Sequence, residues 1–233
     1  MVYFRQMLDH SSSAYSYLLG EYASHQAVLI DPVMQHLDLY LSVLREKNLE
    51  LVLVLETHVH ADHVTAADLL RKITGAQVAI GQHCNAPCAD IQLCGGEILT
   101  FGEESIDVLS TPGHTTGSLS YLWQDRLFTG DALLIGGCGR TDFQGGDAGT
   151  LYDSITHKIW PLADETLIYP GHDYHQHYVS SVAQERQGNP RFLGKSRDEF
   201  IVLMNNLDLP APRLIHQAVP ANRQCGKGLQ HAA

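Results

Sequence analysis

Thr57-His58-Val59-His60-Ala61-Asp62-His63 brings three histidines and an aspartate into six residues. The apolar, β-branched run Leu51-Val52-Leu53-Val54-Leu55 leads straight into it and reads as a buried strand. Beyond it, residues 64–73 carry apolar side chains at helical spacing. The cluster is therefore expected in the turn between a strand's carboxyl end and a helix's amino end, where open α/β sheets place ligands. His58 and His60 stand two apart, so in an extended segment their rings leave the same face. Asp62 and His63 come one turn later and can close on the same point. Neutral imidazole nitrogen and carboxylate oxygen suit zinc, iron or manganese. A lone histidine here would read as a solvated loop residue, but four metal-type side chains at this spacing read as a site.

Working outward, residues 2–7, 14–19 and 27–30 alternate like short strands, and Asp31-Pro32 stops the third. A helix is predicted over 34–47 and a strand over 77–80, followed by a turn-rich zone at 81–96. Strands are predicted over 98–101, 106–110, 119–123, 126–129 and 166–169, and helices over 149–160, 175–185 and 196–207. Ser196 with Glu199 has the form of a capping box. The tail, 210–233, shows no periodicity. Strands meet helices in both halves, which predicts a layered α/β fold in one domain, 1–233, with a short C-terminal extension from about 190.

Three more strand-to-loop junctions offer metal-type residues. They are Pro112-Gly113-His114-Thr115, Gly130-Asp131-Ala132 and Pro170-Gly171-His172-Asp173. Each is weak alone. Together with the cluster they suggest convergence at one edge of one sheet.

Composition bounds the function. Of 233 residues, 44% are hydrophobic and 18% charged, as in an ordinary soluble globular protein. A net charge of −11 argues against nucleic-acid binding but leaves room for a small anion held by one or two local arginines. No run approaches the length of a membrane span, and the start lacks a signal peptide's apolar core. Five unevenly spread cysteines do not describe a disulfide framework, so thiols in a reducing cytoplasm are expected. Cys84, Cys88 and Cys94 lack zinc-knuckle spacing and read as ordinary thiols.

In order, Thr-His-x-His-x-Asp-His, Pro-Gly-His-Thr, Thr-Gly-Asp and Pro-Gly-His resemble the metallo-β-lactamase superfamily, including glyoxalase II, over residues 14 to 175. That resemblance implies an αββα sandwich with a metal site at one edge. It matches His58, His60, Asp62, His63, His114, Asp131 and His172 to the superfamily's ligand set. Gly137-Cys138-Gly139-Arg140-Thr141-Asp142-Phe143-Gln144, then Tyr169-Pro170-Gly171-His172-Asp173-Tyr174, then Asn189-Pro190-Arg191 and Val219-Pro220-Ala221-Asn222 are similar to the persulfide dioxygenase branch. The chain after His172 is too short for glyoxalase II's helical C-terminal domain.

The ligand set alone permits two metals bridged by Asp131, a thioester hydrolase layout like glyoxalase II. The persulfide dioxygenase resemblance implies instead one Fe(II) per chain, held by His58, His114 and Asp131 as a facial triad. His60, Asp62, His63, His172 and Asp173 would then support those ligands by hydrogen bonds. Substrates would be glutathione persulfide and O₂, and products sulfite and glutathione. Arg140 is the expected grip on a glutathione carboxylate, the other reading being a loop-bracing salt bridge with Asp142. Tyr174 resembles a glutathione-side tyrosine, the other reading being a packed ring. The relatives also admit a homodimer.

Overall fold

The structure, a computed structural model, describes residues 1–175 and 177–227. The first sheet is formed by β1 (Val2–Leu8), β2 (Tyr15–Glu21), β3 (Gln26–Ile30), β4 (Glu50–Leu55), β5 (Gln77–Gly81) and β6 (Ile91–Leu93), side by side in that order. The second is formed by β7 (Ile98–Phe101), β8 (Glu104–Ser110), β9 (Leu119–Trp123), β10 (Arg126–Gly130), β11 (Leu167–Pro170) and β12 (Ser180–Ser181), again in sequence order. The helices are α1 (Leu37–Lys47), α2 (Ala67–Thr74), α3 (Ala148–Ser154), α4 (Val182–Gly188), α5 (Arg197–Asn205) and α6 (Ile215–Asn222).

Strand alternation explains how the layers stack. Successive side chains leave opposite faces, and both faces here are covered, which is why the central strands read as continuous apolar runs. Leu19, Val28, Ile30, Leu53 and Leu55 face inward and meet Val108, Tyr121, Trp123 and Phe128 of the second sheet. Their neighbours Leu18, Leu29 and Val54 face outward under Tyr40, Val43 and Leu44 of α1 and Leu70 of α2. On the far side, Leu127 and Ile168 pack beneath Leu151 of α3 and Phe200 and Met204 of α5. The result is the predicted αββα sandwich. Each large apolar side chain so buried stabilises by about 1.5–3 kcal/mol.

Several local predictions needed correction. The helix expected over 175–185 begins only at Val182, as α4; the Asp173 carboxylate accepts the backbone N–H groups of His175 and His177 at 3.0 and 2.5 Å, and the chain then pairs as β12 before that helix. Helix α2 starts at Ala67, later than expected, because the Val64 carbonyl accepts from Met34 N–H at 2.8 Å and Asp68 N–H donates to the Cys225 carbonyl at 2.9 Å, so the first helical bond of the expected start is not made. The turn-rich zone contains β6, and the tail contains α6 despite Pro220 within it. Residues 228–233 of that tail lie outside the described residues. The expectation that all five cysteines are thiols is also wrong. Cys88 and Cys225 form a disulfide across 137 residues of sequence, leaving Cys84, Cys94 and Cys138 free. The capping box on α5 is present as read, with Ser196 Oγ accepting from Glu199 N–H and Glu199 accepting from Ser196 N–H.

Candidate metal centre

Beyond the end of β4, the backbone of the first histidine motif is fixed by a buried carboxylate. Asp31 accepts Thr57 N–H and Thr57 Oγ–H, both at 2.7 Å. The Thr57 hydroxyl proton is thereby committed, so its contact with His58 Nδ1 at 2.9 Å must be donated by the imidazole. His58 Nε2 is then left with a free lone pair. Burial, reinforced by His60 and His114, holds the His58 pKa well below the ordinary histidine value, so the ring stays neutral.

His114 reaches the same point from the turn after β8. Gly113 there adopts φ +132° and lies against the Leu151 backbone, a conformation and closeness that only glycine tolerates. His114 Nδ1 donates to the Arg140 carbonyl at 2.7 Å, which frees Nε2. A Cβ on Gly139 would fall 2.7 Å from that same Nδ1, so the loop can pass only as glycine. Asp131 follows β10. Its Oδ1 accepts from His172 Nδ1 at 2.7 Å, and its Oδ2 lies 3.7 Å from His114 Nε2. One ligand atom from each of His58, His114 and Asp131 falls within 4.8 Å of the other two.

The remaining four predicted residues are brought to the same edge but are engaged differently. The ring of His60 lies 4.2 Å from that of His58, yet its Nε2 turns to Asp31 Oδ1 at 3.2 Å and Glu56 Oε2 at 3.5 Å. Burial opposes charge on His60, and the two carboxylates overcome it, holding its pKa well above the ordinary value. His172 donates from its other nitrogen to Asp62 Oδ2 at 2.8 Å, and His63 Nδ1 reaches the same oxygen at 2.9 Å. Burial again works against charge on His172, but Asp131 and Asp62 outweigh it and raise its pKa well above the ordinary value. Burial would raise Asp62; the pull of His172 and His63 takes it below the ordinary carboxylate range instead.

Asp31, Glu56 and Asn222 belong to the site and were not anticipated. In the sequence Asp31 reads as a strand stop, and Glu56 offers no motif. Asn222 fell inside a matched motif without a role. Its amide donates to the His60 and His63 carbonyls at 2.9 and 2.8 Å, and its Oδ1 accepts from Thr65 N–H, so a buried side chain of α6 holds the histidine loop.

A cavity of about 480 Å³ opens over this edge, and His58, His114 and Asp131 line its floor. Tyr174 lies on the wall, 68% exposed, with its ring parallel to that of His172. Arg140 also lines the cavity, while its Nε and Nη2 hold Asp142 at 2.6 and 2.7 Å, the loop-bracing pair that was the other reading. Two imidazole nitrogens with free lone pairs and one carboxylate oxygen, converging under an open cavity, are a donor set that fits a divalent transition metal and leaves room for substrate.

A stacked pair of sheets with such a donor set at one edge defines a metallo-β-lactamase-type metalloprotein. The Metallo-beta-lactamase superfamily model matches residues 12–83 and 89–172. The crystal structure of ETHE1 from Myxococcus xanthus is 54% identical with a TM-score of 0.95, covering 96% of this chain and 99% of that one. The human mitochondrial persulfide dioxygenase ETHE1 is 46% identical over 225 residues, 95% of this chain and 88% of its own length. A metallo-β-lactamase from Staphylococcus aureus is 27% identical with a TM-score of 0.88, covering all of this chain and 75% of that one. The chain belongs to the metallo-β-lactamase superfamily, within its persulfide dioxygenase family.

Proposed function

We infer that this chain is a persulfide dioxygenase, oxidising glutathione persulfide with O₂ and water to sulfite and glutathione at a single Fe(II) held by His58, His114 and Asp131. The observation that carries this reading is the double engagement of His172. Both of its ring nitrogens are taken by carboxylates, at 2.7 and 2.8 Å, which takes His172 out of the donor set, while His58 Nε2, His114 Nε2 and Asp131 Oδ2 stay open toward the cavity. Bound there, ferrous iron supplies the redox chemistry that joins O₂ to the terminal sulfur, which rises to the oxidation level of sulfite as O₂ is reduced.

The protein's own part is orientation. Asp31, through Thr57, fixes the tautomer of His58, and the Arg140 carbonyl fixes that of His114. His172 holds the Asp131 carboxylate by one oxygen and leaves the other to the site. His60 Nε2 lies between the Asp31 and Glu56 carboxylates, which assigns it a bracing role beneath the floor. Asp173 shapes the loop after His172, and Tyr174 offers the substrate an aromatic wall.

Metal analysis with an oxygen electrode tests the reading. One iron per chain and O₂ uptake in proportion to added glutathione persulfide are expected; two zinc ions per chain and no O₂ uptake would end it. A second reading, a dinuclear thioester hydrolase, is favoured by the buried His63 Nε2, which has no partner among the described residues. Cleavage of S-lactoylglutathione by the zinc-loaded protein would support that alternative. Among the described residues no helix is long and apolar enough to cross a membrane. The cytoplasm is the location we propose, on the strength of the three free thiols, with the Cys88–Cys225 bond as the counter-observation. Cell fractionation decides it.

A further inference from the structure

Glutathione persulfide brings carboxylates to a chain of net charge −11, so its cavity needs a cation that is both fixed in place and uncommitted. Two arginines line the cavity, Arg140 and Arg213. Arg140 is committed. Beyond its two-pronged pair with Asp142, its Nη1 donates to the Pro210 carbonyl at 2.6 Å and its Nη2 to the Leu209 carbonyl at 3.1 Å. Its guanidinium also lies 4.5 Å from the centre of the Phe143 ring. The charge is met by Asp142 and nearly all the N–H groups are in use.

The two carbonyls that Arg140 grips belong to the segment Asp208-Leu209-Pro210-Ala211-Pro212-Arg213 between α5 and α6. Pro210 and Pro212 have restricted backbones, which limits how the segment can move. At its far end α6 is tied down by Asn222 and by the Cys88–Cys225 bond. This anchored segment delivers Arg213 to the cavity wall. Arg213 is exposed and makes no ion pair or side-chain hydrogen bond among the described residues. Its planar fork matches a carboxylate.

We propose that Arg213 is the residue of this cavity that recognises the substrate's carboxylate, and that Arg140 is the clamp positioning the segment that presents it. The proposal rests on glutathione persulfide as substrate. The test uses the iron-loaded wild-type protein with Arg213→Gln and Arg213→Lys. Turnover of glutathione persulfide is followed by O₂ uptake, and binding of glutathione and of its diethyl ester by calorimetry. Arg213→Gln is expected to raise KM about tenfold with kcat within about twofold. The wild type is expected to bind glutathione in preference to the ester, and Arg213→Gln should abolish that preference. Arg213→Lys should recover part of both, and an unchanged melting temperature would show that the fold is intact. A glutamine variant with wild-type KM and the same acid-over-ester preference overturns the proposal while leaving the activity in place. A wild type that consumes no O₂ with glutathione persulfide removes the proposed function instead, and the calorimetric comparison still decides the role of Arg213.

Discussion

Two groups of metal-type side chains share one edge of the sandwich, and they differ in what their polar atoms already touch. In His58, His114 and Asp131, each side chain is held on its far side by protein and keeps one donor atom facing the cavity. In Asp62, His63 and His172, the side chains are bonded to one another, and Asp62 Oδ2 is shared by both rings. Residue type is the same in both groups; under the proposed function, hydrogen bonding is what separates a ligand from a brace.

The sharpest way to break this contrast is to remove one member of each group. Asp131→Ala should reduce bound iron from about one to below about 0.1 per chain and lower O₂ uptake by about a thousandfold or more, by elemental analysis and oxygen electrode. His172→Gln should weaken metal binding only about 10–100-fold and leave one iron per chain at saturating iron. If wild type instead binds two metals and this variant one, the bracing group is a ligand group after all.

Smaller effects sharpen the contrast. Asn222→Ala leaves Thr65 N–H and two histidine-loop carbonyls without their partner and should cost about 1–3 kcal/mol in denaturant unfolding, with a weaker iron affinity beside it. Unaltered iron affinity would mean that α6 supports the fold but not the site.

The smallest effect is one of pH, in metal-free protein. Asp62 and Asp131 are depressed by their histidine partners, so their contribution is full above the unfolded value of about 4 and is lost as pH falls. His172 is raised, so its contribution is full below about 6.5 and is lost as pH climbs through its own higher value. Melting temperature should therefore fall on the acid side of about pH 4, and His172→Gln should flatten that fall. Superimposable profiles for the two proteins would show that the bracing group contributes nothing to stability.

The sandwich and its edge were legible because both follow from local pattern. A β-branched run ending in Thr57-His58-Val59-His60 is a strand-end site on its face, and Ser196 with Glu199 announces a helix start. What escaped the sequence depends on contacts across long separations. Asn222 acts on residues about 160 positions earlier, as the Asn222 and His60 numbers show, and nothing near it marks that role. Cys88 and Cys225 are 137 apart in a set of odd count, so no spacing argument could pair them. The helix expected over 175–185 begins only at Val182, because the Asp173 carboxylate offers the backbone before it a competing partner. Strand β6 is three residues long, too short for any period to register.

The Cys88–Cys225 bond has a consequence for how the molecule tolerates damage. It closes a covalent ring that contains His114, Asp131 and His172. A single proteolytic cut anywhere inside that ring leaves one molecule rather than two. The nicked chain would migrate as intact protein until a reductant parts it into two pieces.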